Sequence, residues 1–263
     1  FNPFNSILMK ITLTSLFAFL FLFVFLYPSH GEEEDERPNI IVFLVDDYDK
    51  PETSPYGGKV LTPNLDRLTK EGMICHNAHV TSTVCTPSRY TFLTGRYASS
   101  SHSNTFLDEC PKGTQALPAF NVGLESDRMN VGRVLADAGY ITGFVGKYHV
   151  HDTDHSKEGS LFGDLDVPKN AKYSDQLNKR KFKLEKLQRE LIKKNGFTWA
   201  KNIYWGNLKQ PFKGHNPDWT AQAALEFIEE HKDQPFSLHC CSTLLHGPNG
   251  EWFKSMMEKE LAS

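Results

Sequence analysis

Cys85-Thr86-Pro87-Ser88-Arg89 is the segment whose residue types and spacing best suit chemistry. Cysteine is a nucleophile, and proline two residues later suits the first turn of a helix, which puts Cys85 at a helix N-terminus. Free backbone N–H groups and the helix dipole favour an anion there. Arg89 stands one turn further on the same face, so residue 85 and Arg89 outline a small oxyanion pocket. The plainer account is a buried structural cysteine beside a turn. Three more groups bring complementary chemistry: the adjacent carboxylates Asp46 and Asp47, the pair Lys147 and His149, and His246.

Each of these groups follows a segment that reads as β-strand. Residues 39–45 form a continuous apolar, β-branched run without alternation, which predicts a parallel-sheet strand covered on both faces. Residues 140–145 and 236–242 read as two further strands. Helices are predicted from Thr62 and Pro63 to the stop at Gly72, over 130–138 before Gly139, and over 219–230 capped by Asp218. The alternation predicts an α/β fold, a mostly parallel central sheet with helices on both faces. Ligands of open parallel sheets lie beyond the carboxyl ends of the strands, so Asp46, Asp47, Lys147, His149 and His246 are expected on one rim. Taken singly, each has a plainer reading: paired aspartates cap turns, and a lone Lys or His after a strand is solvated.

The chain has 263 residues, 39% hydrophobic and 23% charged, enough for a substantial core. A net charge of -3 from 29 basic and 32 acidic residues gives no reason to expect nucleic acid or an anionic membrane as partner, so any anion must be held locally. Residues 1–31 read as a signal peptide, with initiation at Met9, an apolar stretch from Ile11 to Leu26 and small residues near Ser29 and Gly31. Cleavage is expected, leaving no stable membrane span, because the run is short and carries Thr12, Thr14 and Ser15. Residues 32–37 form an acidic linker, and 38–263 the folded domain. Export makes disulfides possible, yet five cysteines are an odd number. Cys240 and Cys241, adjacent in a strand, should face opposite sides of the sheet.

Cys-x-Pro-Ser-Arg at 85–89, followed by Leu93-Thr94-Gly95-Arg96, resembles the signature of the sulfatase family. Gly139 to His149, Pro38 to Asp47, and His246-Gly247-Pro248 match further blocks of that family in the same order. The resemblance implies an alkaline-phosphatase-like sulfatase domain, of which this is an N-terminal part, and hydrolysis of sulfate esters in a secreted, periplasmic or lysosomal setting. It implies that a formylglycine-generating enzyme oxidises Cys85 to formylglycine, whose hydrate attacks sulfur with one hydroxyl and later expels sulfate by collapse of the other. It further implies that Asp46, Asp47 and the modified Cys85 hold Ca²⁺, or alternatively Mg²⁺. Arg89 and His149 would orient the diol, Lys147 would hold a sulfate oxygen, and His246 would meet the ester oxygen of the leaving group. Leu245 stands where the family commonly has proline. The family draws further metal ligands and a second sulfate-binding lysine from sequence beyond the His246 block, so a chain ending at Ser263 is expected to be incomplete and inactive.

Other readings come from other classes. His149-Val150-His151-Asp152-Thr153-Asp154-His155 approaches a zinc motif of metallo-β-lactamase-like hydrolases but is one residue too long. A Cys-dependent phosphatase would need its arginine six residues after the cysteine. A phosphonate or phosphate monoester hydrolase of the same superfamily would share the modified cysteine. A non-catalytic, secreted sulfated-glycan-binding protein could use the basic stretch 179–194, whose plainer account is a helix with a solvated face.

Overall fold

The computed structural model describes residues 37–152, 172–207, 212, 216–243 and 246. The expected signal peptide, residues 32–36 of the linker, Asp154 and His155 of the zinc-like motif, and Leu245, Gly247 and Pro248 lie outside the described residues. The chain divides into Phe1–Glu36 and Arg37–Ser263, and all described residues belong to the second unit.

Six α-helices and four strands organise the described residues. In chain order they are β1 (Ile40–Val45), α1 (Pro63–Glu71), α2 (Cys85–Thr94), α3 (Asn104–Glu109), α4 (Val131–Asp137), β2 (Ile141–Lys147), α5 (Asp175–Lys194), β3 (Trp199–Tyr204), α6 (Asn216–His231) and β4 (Phe236–Ser242). The local grammar explains the boundaries. Pro63 opens α1, where its missing N–H costs nothing, and the Asn130 side chain accepts from Arg133 N to cap α4. Asp218 does not cap its helix as expected. The helix begins at Asn216, because Pro217 fits a first turn, and Asp218 sits inside that turn.

The sheet order is β1-β4-β2-β3, and every pairing is parallel. Alternation sorts the side chains. Phe144, Tyr148 and Cys241 pack with Tyr90 and Leu93 of α2 and Ile192 of α5 in one cluster. Val145, Leu238 and Cys240 pack with Ala223 and Phe227 of α6 in another. Cys240 and Cys241 thus do serve opposite faces, and all five cysteines are free thiols.

Two readings need correction. β3 was not foreseen, because Lys201 and Asn202 break its apolar pattern and Asn202 has a left-handed backbone. β1 is an edge strand and is not covered on both faces: Ile41 and Phe43, on one face, are 54% and 65% exposed, because no described element packs on that face. The basic stretch lies on α5, with Lys183 and Lys186 exposed and Arg189 turned back to Glu185 at 2.7 Å.

Gly146 brings β2 close to its neighbour. Its φ is +87°, and a Cβ there would lie 2.1 Å from the Cys241 carbonyl oxygen. Gly146→Ala should therefore lower unfolding free energy by more than about 2 kcal/mol in urea titration. Gly206→Ala, whose nearest neighbour would be His149 Nε2 at 3.9 Å, should cost clearly less.

His239 of β4 supplies a pH dependence. It is 2% exposed, stacked on Phe144, and neither ring nitrogen has a hydrogen-bond partner among the described residues. Burial holds its pKa down to about 4. Between that value and the ordinary 6.5, the unfolded chain binds the proton more readily, so stability rises with pH in this window. The contribution is complete above pH 6.5 and is lost as pH falls towards 4, roughly 3 kcal/mol in all. His239→Phe should flatten that part of the stability curve in urea unfolding from pH 4.5 to 7.

Candidate active site

Two strands end in strained backbone where the site begins. Asp47, two residues past β1, has φ 51°, and His149, two residues past β2, has φ 56°. Non-glycine residues adopt this region at a cost, and they do so where surrounding structure holds them. The consequence is local: the strand alternation is broken, and the side chains at these ends turn to shared neighbours.

Asp46 is the centre of charge. Its carboxylate is 6% exposed and accepts from Arg89 Nη2 at 2.8 Å on one oxygen and from Lys147 Nζ at 2.5 Å on the other. Burial alone would raise its pKa, but the two cations outweigh burial and hold the carboxyl below its usual range. Arg89 also donates from Nη1 to the Lys147 carbonyl at 3.0 Å, which ties α2 to the end of β2. Lys147 is fully buried, an arrangement that only a paired ammonium tolerates.

Cys85 begins α2, as its spacing predicted, and its Sγ lies 3.2 Å from His149 Nδ1. Burial first, then Lys147 and Arg89, hold the His149 pKa down to about 3. The imidazole facing Cys85 is therefore neutral at pH 7. α2 is anchored from behind by Tyr90, whose hydroxyl donates to the buried Glu125 carboxylate at 3.0 Å; that carboxylate also accepts from His102 N at 2.7 Å.

His246 stands at the other side, its Nε2 3.8 Å from Asp47 Oδ2. The structure thus brings Asp46, Arg89 and Lys147 into one ion cluster, Cys85 to His149, and His246 to Asp47. Asn207 joins them, and the sequence reading missed it. Its Oδ1 is 3.0 Å from Lys147 Nζ, and its Nδ2 is 2.9 Å from His246 Nδ1. Asn207 lies three residues past β3, so the rim argument would have found it had β3 been recognised. Phe120 and Trp205 were missed too; their rings lie 5.5 and 4.3 Å from that of His149. The zinc-like reading gains nothing: His151 turns away from His149 to Gln188 of α5.

The sulfatase family model matches residues 38–259. The chain belongs to the sulfatase family. Human steryl-sulfatase is 38% identical over 128 residues, 46% of this chain and 20% of that protein. An uncharacterised Escherichia coli K12 sulfatase, YidJ, is 31% identical over 199 residues, 69% of this chain and 37% of that protein. The crystal structure of Ps i-CgsB in complex with k-i-k-neocarrahexaose superposes with a TM-score of 0.51 at 25% identity, covering 81% of this chain and 46% of that one. The chain therefore spans between 20% and 37% of these two curated relatives and under half of the solved structure. The parallel sheet with its helices is part of a sulfatase domain.

Removing one cation from Asp46 leaves a buried charge half compensated. Arg89→Met should cost about 3 kcal/mol in urea unfolding. Combined with Asp46→Asn it should cost less than the sum of the two single changes, because they share one interaction.

Proposed function

We propose that this sulfatase hydrolyses sulfate esters with formylglycine made from Cys85 and a divalent cation, Ca²⁺ or alternatively Mg²⁺, held by Asp46 and Asp47. The observation that carries this reading is the His149 ring 3.2 Å from Cys85, at the start of a helix whose next turn puts Arg89 on Asp46. The donors fit such a cation in kind. Asp46 is held ionised and carboxylate oxygens are hard ligands; both Asp46 oxygens also pair with Arg89 and Lys147, so a cation there would share them. Two carboxylates are fewer than the roughly six to eight oxygens Ca²⁺ takes, so substrate, water or further protein oxygens would complete the shell.

When bound, the cation would supply charge to polarise a sulfate oxygen. Formylglycine would supply, as its hydrate, one hydroxyl to attack sulfur and a second through which sulfate is expelled. The chain's own residues do the rest. The N-terminus of α2 directs N–H groups towards an anion at residue 85. His149, with Nδ1 3.2 Å from Cys85 Sγ, can hydrogen-bond and orient the side chain at residue 85. Lys147 provides a fixed positive charge for a sulfate oxygen, and Arg89 fixes Asp46 and the nucleophile's helix together. His246, whose Nε2 lies 3.8 Å from Asp47, would serve the leaving-group oxygen.

The reading also entails export through the secretory pathway, where a formylglycine-generating enzyme would meet the chain. A sulfated glycan is one substrate class it admits, since an N-acetylglucosamine-6-O-sulfatase of Bacteroides thetaiotaomicron is 36% identical over 120 residues. Mass analysis of the peptide containing residue 85, after co-expression with a formylglycine-generating enzyme, should find the aldehyde; a plain thiol there would overturn the reading. Wherever turnover of a chromogenic aryl sulfate is measurable, Cys85→Ala should abolish it, and parallel assays on an aryl phosphonate should show the sulfate preferred.

A further inference from the structure

We propose that Asn207 sets the tautomer of His246, holding its ring proton on Nε2 so that an N–H is offered to the leaving-group oxygen; the last clause rests on the sulfatase reading above.

Lys147 sets the direction of the amide. An ammonium has donors only, and this one is fully buried, with Asp46 Oδ2 at 2.5 Å and Asn207 Oδ1 at 3.0 Å. A carboxamide has an accepting end and a donating end. Turning the Asn207 nitrogen towards Lys147 would set donor against donor 3.0 Å apart and leave the ammonium without that acceptor. Lys147 therefore fixes which way the amide points.

That direction passes to the histidine. Asn207 Nδ2 lies 2.9 Å from His246 Nδ1, and Nδ2 can only donate. Nδ1 must then carry the lone pair, and in neutral imidazole the proton sits on Nε2. Nε2 points towards Asp47 but stays 3.8 Å from its nearest oxygen, too far for a hydrogen bond, so its N–H is not taken up there. A buried cation on β2 thus dictates the donor on a histidine after β4 through one neutral amide. Asn207 is a positioning residue, since it acts through His246.

The test reads the ring directly. Long-range ¹H–¹⁵N correlation spectra of the 263-residue chain should show His246 with Nε2 protonated and Nδ1 bare. Asn207→Asp keeps the shape and an acceptor for Lys147 but offers His246 a second acceptor, so the proton should move to Nδ1. Asn207→Leu, which has no polar direction, should leave a mixture of tautomers. A wild-type proton on Nδ1, or an Asn207→Asp ring identical to wild type, would overturn the proposal. These spectra need no turnover, so failure of the sulfatase reading would leave them interpretable. With turnover, Asn207→Asp should lower kcat roughly 100-fold on alkyl or sugar sulfates, the scale of lost proton transfer, and under tenfold on a nitrophenyl sulfate, whose leaving group needs no proton. Equal losses on both would overturn the leaving-group role.

Discussion

The site depends on one buried carboxylate being shared by two buried cations. Asp46 directly follows the edge strand, Arg89 belongs to the helix that begins with Cys85, and Lys147 closes the strand on the far side of β4. Each ion would be costly alone in such a place, and together they satisfy one another. Their attraction is therefore also a positional constraint. It joins three chain segments that share no covalent neighbour, and it holds residue 85, Lys147 and the start of the acidic pair in one arrangement before any substrate arrives.

Neutrality is the second theme. The cations that stabilise Asp46 are the groups that, after burial, keep a proton off His149. The same two charges thus hold the acid ionised and add to what burial already does at the imidazole.

Much of this was legible in the residues. Cys85, Pro87 and Arg89 announced a helix N-terminus by spacing, and the polar groups after apolar runs announced a rim, because strand ends and helix starts have local signatures. What was not legible depended on long-range contact. β3 was hidden by Lys201 and Asn202, which sit in a strand only because β2 pairs with it, and Asn207 was hidden with it. The exposure of β1 could not be read either, since a continuous apolar run says that a strand should be covered and not what covers it.

That edge strand has a mechanical meaning. β1 is laddered on one side only, Ile41 and Phe43 are open to solvent, and the strand delivers both aspartates to the rim. The two carboxylates thus hang from a strand with a single ladder, and for Asp46 the ion pairs with Arg89 and Lys147 stand in for the neighbour that β1 lacks on its outer edge.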